Sequence, residues 1–294
     1  MVYCLIPTYN RSSYLKRALH SIFAQSYDNL TVYVINCGST DGTSEMLRKD
    51  FGTRDRLYEL RHDSSVWWTE AMSLGVTRVL SECKDDDFIL SFNDDLVFSD
   101  QNVIARLLDT QRAVGPSLVI AACVEESTKR NISSGYRVDW ASGRRTNSLD
   151  LLGVSAAKGK DQFVMLDVLF GRGTLIPVKC FRAVGNYNAK VFPQYGGDAE
   201  FSFRAQQAGW QCVLDRTAIV MTSFETTPEY KNLHRGLKGI FYAIQIPFSI
   251  NSPKQICKGF KLIDLCCPQR YRLKNKIIYL MSVASYACRQ CLKG

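Results

Sequence analysis

The chain is poor in histidine and lacks both a long apolar run and the pattern of a secretory leader. Its 294 residues include three histidines, so we do not expect a histidine-rich zinc centre. No stretch reaches the roughly 18 apolar residues that a membrane-spanning helix needs. The apolar residues 2–6 lack a basic flank and run directly into Pro7, unlike a signal peptide. We therefore expect neither a secretory signal nor a membrane-spanning segment.

Cysteine is present, but not in the pattern of a disulfide-stabilised protein. The eleven cysteines are odd in number and scattered along the chain. Several, such as Cys4 and Cys123, lie inside apolar strand-like runs, where cysteine behaves as a small hydrophobic side chain. This distribution predicts a reducing, cytoplasmic compartment.

The net charge of +9 is confined to the carboxyl-terminal part of the chain. Residues 225–294 contain twelve lysines and arginines against three acidic residues, whereas residues 1–224 carry 25 basic and 25 acidic residues. The chain is long enough for one large domain with an appendage. We predict a neutral domain over residues 1–224 and a basic tail over residues 225–294.

Strand-like and helix-like segments alternate through the first part of the chain. Apolar runs predict strands at residues 2–6, 30–35, 57–60, 88–92 and 118–124. Amphipathic segments between these runs predict helices. This order predicts an α/β fold with a Rossmann-like, mostly parallel sheet flanked by helices. Farther along, we predict that regular structure resumes over residues 164–170. We also predict helices near residues 178–184 and over residues 199–208, and strands over residues 211–214 and 218–222.

Asn93, Asp94 and Asp95 end one of these apolar runs. Two neighbouring carboxylates at the carboxyl end of a parallel strand stand at the sheet edge where open α/β proteins bind ligands. Their repulsion requires a compensating cation or hydrogen-bond donor. Hard oxygen ligands suit Mg²⁺ or Mn²⁺, and these ions suit a diphosphate. The alternative is that Asp94 and Asp95 open a loop or cap the next helix.

Asp198 follows two glycines at the start of the helix predicted over residues 199–208. A carboxylate within hydrogen-bond reach of a hydroxyl can take its proton as a general base. The amino end of a helix favours the ionised form of such a group. An N-cap without catalytic function is the structural alternative.

Three further groups of residues have structural alternatives. Trp67 and Trp68 could stack on a sugar or base, although tryptophans of this kind more often belong to a core. Arg172, between two glycines, suits a phosphate or an acidic sugar, but the segment could be a plain turn. Glu200 and Arg204 are four residues apart on a predicted helix and could form a salt bridge.

Taken in order, these motifs resemble the inverting glycosyltransferases of family 2, which adopt the GT-A fold. The resemblance spans roughly residues 2 to 222. It rests on IPTYNR (6–11), NCGSTDGT (36–43), VWWTEAMSLG (66–75), NDD (93–95), GRGT (171–174) and GDAEFSFR (197–204). The resemblance implies a GT-A domain with a nucleotide-sugar half over residues 1–98 and an acceptor half over residues 99–224.

The resemblance also implies roles for individual residues. Asp95 would hold Mn²⁺ or Mg²⁺, and Asp198 would be the general base. The implied donor contacts are Pro7, Thr8, Tyr9, Arg11, Asn36, Cys37, Ser39, Trp68 and Asp94. The implied contacts to the acceptor or to phosphate are Gly171, Arg172, Gly173 and Glu200.

The implied activity is transfer of a sugar from a UDP-, dTDP- or GDP-sugar to a glycan or a polyprenyl-linked oligosaccharide. The chain is similar to rhamnosyltransferase-like members that build bacterial polysaccharides, such as the O-antigen of lipopolysaccharide or a capsule. Two departures leave room for a non-catalytic, degenerate glycan-binding or scaffold protein. Asn36 and Cys37 stand where the family usually carries an acidic pair or Asp-Asn, and a thiol is a weak acceptor. No histidine follows the last strand near Thr222, although His234 lies farther on.

The basic tail contains amphipathic stretches near residues 237–244 and 277–284. Basic amphipathic helices suit an anionic membrane surface, so we predict peripheral association with the cytoplasmic face of the inner membrane. The alternative is a helical extension that packs on the domain or on a second subunit of a homo-oligomer. We do not expect nucleic-acid binding, because the tail lacks an aromatic strand platform and any known motif.

Overall fold

The computed structural model places a mixed β-sheet at the centre of the chain. It describes residues 1–63, 66–151, 162–223, 245–249 and 252–292, so the predicted helix near 237–244 and His234 lie outside the described residues. The strands are β1 (Val2–Thr8), β2 (Leu30–Cys37), β3 (Leu57–His62), β4 (Phe88–Ser91), β5 (Leu96–Phe98), β6 (Ser117–Glu125), β7 (Asn131–Ile132), β8 (Gly135–Asp139), β9 (Arg144–Asn147), β10 (Phe163–Leu166), β11 (Val168–Leu169), β12 (Thr174–Pro177) and β13 (Gln211–Thr222).

The main sheet has the strand order β10-β13-β6-β12-β4-β1-β2-β3, with β5 paired to β13 and β7 to β6. The first half is parallel: β1 pairs with β2 and β4, and β2 pairs with β3. β6 and β13 are parallel as well, whereas β12 lies antiparallel between β4 and β6. The predicted α/β fold with a largely parallel sheet is confirmed.

Helices cover both faces of this sheet. Their bounds are α1 (Ser12–Phe23), α2 (Thr43–Phe51), α3 (Trp68–Leu80), α4 (Val103–Val114), α5 (Val178–Val184), α6 (Gly197–Gln207), α7 (Ile256–Cys266) and α8 (Arg272–Leu292). Alternate side chains of β1 enter different cores. Cys4 and Ile6 pack with α1, α2 and α4, whereas Tyr3 and Leu5 pack with α3, α5 and α6. A strand buried on both faces is a continuous apolar run, which explains the pattern of the sequence.

The structure joins the two strands predicted over 211–214 and 218–222 into one, β13. Its pairing with β6 shifts register between Asp215 and Ile219. The fully buried Asp215 carboxylate accepts hydrogen bonds from the Thr217 N–H at 2.8 Å and from the Thr110 hydroxyl at 2.7 Å. These donors compensate the buried charge, so the interruption that the sequence indicates is a bulge inside one strand.

The described part of the tail packs on the second half of the domain. α7 and α8 pack against each other, and Leu262 of α7 packs with Phe203 of α6. The Asn275 side-chain amide of α8 donates to the Trp140 carbonyl at 2.8 Å, just after β8, which forms a small sheet with β9 and β11. The predicted helical carboxyl-terminal extension is therefore present. Among the described helices, none has the length and apolar character required to cross a bilayer.

Gly259 marks the closest approach between α7 and α8. A Cβ atom built on Gly259 would lie 2.1 Å from Cε1 and Cζ of Tyr279. That separation is far below van der Waals contact, and Tyr279 is buried, so its ring has little room to retreat. The absence of a side chain at residue 259 therefore allows the two helices to pack.

We expect Gly259→Ala to lower the free energy of unfolding by about 1–3 kcal/mol, because overpacking displaces Tyr279. Helix propensity alone predicts the opposite sign, a gain of about 1 kcal/mol. Denaturant unfolding of the two proteins decides between these effects. The same substitution in a Tyr279→Ala background is the control and should be neutral or stabilising. A stabilised single variant would contradict the close packing.

Candidate active site

Three loops meet at the carboxyl ends of β1, β2 and β4. β1 ends at Thr8, β2 ends at Cys37, and β4 ends at Ser91 shortly before Asp94. Thr8 lies opposite Asn36 in the parallel pairing of β1 with β2, and β4 flanks β1 on the other side. The loops therefore leave from one edge of the sheet, where ligands bind in open α/β folds.

The carboxylates of Asp94 and Asp95 converge on one guanidinium nitrogen. Arg11 Nη1 donates to Oδ1 of Asp94 at 3.1 Å and to Oδ2 of Asp95 at 3.2 Å. The Thr8 hydroxyl donates to the other Asp94 oxygen at 2.8 Å. The first loop thus supplies the cation and the donor that two neighbouring carboxylates require. Neither carboxylate caps the next long helix, because α4 begins only at Val103.

Asp94 is the more buried member of the pair, with 5% of its surface exposed. Burial raises the pKa of Asp94 to about 6, and the charge of Asp95 acts in the same direction. Arg11 and the Thr8 hydroxyl oppose this shift without cancelling it. Arg11 therefore compensates the buried carboxylate charge only in part, so a cation of higher charge in its place would stabilise the pair more.

The donor set at this pair suits a divalent ion that arrives with a phosphate ligand. Among the described residues, no cluster of three or more His, Cys, Asp or Glu side chains could hold a metal. Mg²⁺ and related ions at phosphate sites take one or two protein carboxylates, while phosphate and water oxygens complete the shell. Asp94 and Asp95 fit that arrangement, because their oxygens already converge on one cationic atom.

Asn36 and Ser39 hold the second loop against the first. The Asn36 side-chain oxygen accepts the Ser39 N–H at 2.9 Å, and its amide donates to Glu59 Oε1 at 2.6 Å. The Ser39 hydroxyl accepts the Asn10 N–H at 3.0 Å. Asn36 is fully buried with both ends of its amide engaged, so the structure gives it a positioning role. A direct contact of Asn36 with the donor base stays a prediction. Such a contact would require Asn36 to break its bonds to Ser39 or Glu59.

Cys37 lies beside the first loop with 3% of its surface exposed. Burial raises the pKa of the Cys37 thiol to about 11, while the nearby N–H groups of Thr8 and Val66 act in the opposite direction. The group is therefore a neutral thiol at pH 7. It donates to the Ile35 carbonyl, with 3.5 Å between Sγ and O. Pro7 is buried at the end of β1, and Tyr9 is 51% exposed at the rim.

Trp68 joins the carboxylate loop to the second half of the domain. Its indole N–H donates to the Asn93 side-chain oxygen at 2.9 Å, and its backbone N–H donates to the Gln194 side chain at 2.8 Å. A Cβ on Gly171 would lie 2.1 Å from the Trp68 ring, so the ring lies directly on this glycine. Trp68 is half-buried, whereas Trp67 is exposed. Of the two tryptophans for which the sequence allows a core position, it is therefore mainly Trp68 that packs against the domain.

Asp198 is held at the start of α6 by two backbone donors. The Ala199 N–H donates to Oδ1 at 2.8 Å, and the Gly171 N–H donates to Oδ2 at 3.3 Å. Burial raises the pKa of Asp198, although both N–H groups and the charge of Arg172 oppose this. The helix start thus favours ionisation, as the sequence predicts, but burial has the larger effect. The result is a carboxylate with more basic character than an exposed aspartate.

The segment from Gly171 to Gly173 is a turn fastened to β4. The Gly171 carbonyl accepts from the Ser91 hydroxyl at 2.7 Å, and the Gly173 N–H donates to the Ser91 carbonyl at 2.9 Å. Gly173 has a φ of +76°, a conformation that favours glycine. The Arg172 guanidinium lies over the Phe170 ring at 5.4 Å and acts electrostatically on Asp198. The turn therefore presents a cation beside the candidate base.

Glu200 forms the salt bridge that the sequence offers as an alternative to a binding role. Arg204 donates from Nε to Glu200 Oε1 at 2.9 Å and from Nη2 to Oε2 at 2.8 Å. Arg204 also donates to the carbonyls of Val184, Gly185 and Asn186. Glu200 is 6% exposed and has both oxygens engaged, which supports a positioning role, and its contact to an acceptor stays a prediction.

Sequence reasoning missed two residues that fasten the first and second loops together. The Asn10 side-chain oxygen accepts the Thr40 N–H at 2.7 Å, and Asp41 Oδ2 accepts the Ser12 N–H at 2.8 Å. Asn10 has a φ of +51°, which asparagine tolerates better than most residues. The sequence does contain a signal for this contact. Asn10 and Asp41 are short polar residues in loops that follow two neighbouring parallel strands, β1 and β2.

Comparison with known sequences identifies relatives of the chain. A profile described as "Glycosyl transferase family 2" matches residues 3–159, more than half of the chain, and includes the carboxylate pair but not Asp198. An uncharacterized glycosyltransferase of Rickettsia bellii is 25% identical over 189 residues, which cover 64% of this chain and 25% of that protein. One from Rickettsia typhi is 24% identical over 204 residues, which cover 69% of this chain and 58% of that protein. The chain thus spans only part of the length of these relatives.

Comparison with solved structures confirms the GT-A fold. A mannosyltransferase of Pyrobaculum calidifontis in complex with GDP-Man and Mn²⁺ matches with a TM-score of 0.57 and 14% identity, over 97% of this chain and 75% of that one. Residues 1–349 of Staphylococcus aureus TarS in complex with UDP-GlcNAc match with a TM-score of 0.58 and 10% identity, over 99% and 92%. At these identities the likeness shows the fold alone.

The raised pKa of Asp94 has a predictable effect on stability. Its value of about 6 lies above the ordinary value of 3.8, so the folded state holds this proton more tightly than the unfolded chain. Stability is therefore lost as the pH rises through that interval. We expect Asp94→Asn to raise the free energy of unfolding by about 1–3 kcal/mol near pH 7.5 and by much less near pH 4. Urea unfolding at both pH values measures this, and a pH-independent difference would contradict it.

Proposed function

The chain belongs to glycosyl transferase family 2, and from this premise we propose that it is an inverting hexosyltransferase. It would move a sugar from a nucleoside-diphosphate donor to a glycan or a lipid-linked oligosaccharide. The GDP-Man and UDP-GlcNAc bound by the two structural neighbours support a nucleotide-sugar donor. A rhamnosyl-type donor and an acceptor in O-antigen or capsule synthesis belong to the same proposal.

One observation carries the proposal: Gly171 connects the candidate base with the carboxylate pair. Its N–H donates to Asp198, and its carbonyl accepts from Ser91, at the end of the strand that leads to Asp94 and Asp95. Two functions that the reaction needs, a base and an anionic cation site, therefore share one sheet edge. Either group alone could belong to a structural loop, and their linkage through Gly171 supports a shared role in the reaction.

The geometry supports a single displacement with Asp198 as general base. Asp198 accepts the proton of the acceptor hydroxyl as the hydroxyl oxygen forms a bond to the anomeric carbon. The bond from that carbon to the diphosphate oxygen breaks at the opposite face, and its electron pair leaves with the diphosphate. The configuration of the anomeric carbon is thus inverted without a covalent enzyme intermediate. The pKa of Asp198, raised by burial, makes it a better proton acceptor.

The departing diphosphate requires positive charge, which the chain provides in two ways. Asp95, assisted by Asp94, would hold Mn²⁺ or Mg²⁺, which when bound supplies Lewis-acid neutralisation of the leaving group. Arg11 lies at the carboxylate pair, and Arg172 lies near Asp198, so both guanidinium groups line the same edge. A planar guanidinium suits phosphate oxygens better than an ammonium does.

Recognition of the base would depend more on backbone groups than on Cys37. The Cys37 thiol is neutral and buried, and a neutral sulfur is a weak acceptor. The backbone N–H groups of Thr8 and Val66 hydrogen-bond to the Cys37 sulfur. We therefore leave uracil, thymine and guanine as candidates, to be separated by measurement.

Thermal shifts with UDP, dTDP and GDP, each with and without Mn²⁺, test donor binding, because a ligand of the native state raises its stability. We expect one nucleotide to give a metal-dependent shift. Asp198→Asn should keep that shift and lower the transfer rate about 10²- to 10⁴-fold, because it removes only the base. Asp139→Asn, at an exposed position of β8, is the matched control and should retain full transfer.

Two outcomes would contradict this proposal. If none of the nucleotides shifts the melting temperature, the chain is a degenerate glycan-binding or scaffold protein. If Asp198→Asn retains transfer at the wild-type rate, another group is the base.

A membrane-proximal acceptor is supported by an apolar stripe on α8. We define the α8 stripe as Leu273, Ile277, Leu280 and Met281, whose spacing places them on one helical face. They are 75%, 51%, 41% and 67% exposed, while the opposite face of α8 packs on the rest of the chain. Lysines 274 and 276 flank the stripe, and residues 252–292 contain eight basic residues against one acidic residue. We propose that the α8 stripe rests on the anionic cytoplasmic face of a membrane.

We expect the protein to sediment with vesicles that contain anionic lipid and not with neutral vesicles. The double substitution Ile277→Gln, Leu280→Gln should weaken this binding at least about tenfold, because it removes buried apolar surface. Met165→Gln, a similarly exposed apolar position on β10, is the matched control and should bind as the wild type does. Unchanged vesicle binding by the double variant, or none by the wild type, would contradict the proposal.

A further inference from the structure

Arg11 occupies an unusual position between the two carboxylates. One nitrogen, Nη1, donates to oxygens of both Asp94 and Asp95, at 3.1 and 3.2 Å. A guanidinium usually pairs with a single carboxylate through two parallel hydrogen bonds. Here the positive charge instead bridges two residues. The side chains of Asp94 and Asp95 are 7% and 14% exposed, so water does little to relieve their repulsion.

The same position is the one that a divalent ion would need. Asp94 and Asp95 would hold the ion through the carboxylate charge that Arg11 now compensates, and a metal–oxygen distance of about 2.1 Å leaves no room for a guanidinium between ion and ligand. In the structure, Oδ1 of Asp94 and Oδ2 of Asp95 face Arg11 Nη1. The guanidinium and the ion carry charge of the same sign and cannot share this space. One of them must be elsewhere whenever the other is bound.

Resting on the proposed function, we propose that Arg11 is an exchangeable counter-cation. In the donor-free protein its guanidinium neutralises the pair of Asp94 and Asp95. When a divalent ion binds there with a nucleoside diphosphate, Arg11 leaves the carboxylates. Its side chain is 31% exposed, so part of the guanidinium already contacts solvent.

This exchange couples the metal to the nucleotide. A metal ion alone must displace Arg11 and leaves the guanidinium without its anionic partners. A diphosphate that enters with the metal offers new acceptor oxygens to the displaced guanidinium. The protein should therefore bind the metal weakly by itself and much more tightly together with a nucleoside diphosphate.

The test measures binding of Mn²⁺ alone, from the loss of the electron paramagnetic resonance signal of free Mn²⁺. We expect Arg11→Gln to bind Mn²⁺ about tenfold more tightly than the wild type, because no charge-assisted hydrogen bond must be broken. The matched control is Arg17→Gln in α1, the helix that Arg11 precedes. Arg17 is exposed and pairs with Glu126. This control should bind Mn²⁺ as the wild type does.

The outcomes separate this inference from the proposed function. Equal or weaker Mn²⁺ binding by Arg11→Gln overturns the exchange, while a nucleotide shift in the wild type would keep the donor site. If no nucleotide binds to the wild type at any Mn²⁺ concentration, the proposed function itself fails. If Arg11→Gln does not fold, Arg11→Met takes its place. Its side chain carries no charge and no donor, so Mn²⁺ affinity above that of the wild type supports the exchange and equal affinity overturns it.

Discussion

The repulsion between the carboxylates of Asp94 and Asp95 is the constraint around which this sheet edge is built. The end of β4 fixes their backbone, so they cannot move apart, and burial deprives Asp94 of water. The first loop responds with the Thr8 hydroxyl and the Arg11 guanidinium, and the second loop holds the first through Asn10 and Ser39. The geometry of both loops therefore depends on the repulsion between the two carboxylates that follow β4.

Much of the fold follows from patterns within short segments. β1, β2 and β4 are apolar because both of their faces are covered, and α5 occupies the predicted residues 178–184. The sequence does not predict that β12 lies antiparallel between β4 and β6, because nothing in Thr174–Pro177 selects its neighbouring strands. The segment near residues 164–170, where the sequence predicts that regular structure resumes, contains two strands, β10 and β11, which join different sheets.

The sequence predicts the positions of the charged residues in the candidate site better than it predicts their hydrogen-bond partners. The sequence places Asp94, Asp95 and Asp198 at the right ends of their elements, since strand ends and helix starts are local features. It does not show that Glu59 lies beside Asn36, or that Glu200 is taken by Arg204, because those partners depend on how elements pack. The pKa of Asp198 likewise depends on burial, which no neighbouring residue in the sequence reveals.

Gly171 has a consequence for how substrate preference can change in this protein. The Trp68 ring lies on its Cα, its N–H reaches Asp198, and its carbonyl reaches Ser91. Any side chain at residue 171 would push the Trp68 indole away from Asn93. It would also disturb the hydrogen bond that holds the Asp198 carboxylate. Under the proposed function, a substitution at residue 171 would therefore disturb the carboxylate loop and Asp198 together, so a change that affects only one of them has to occur at another residue.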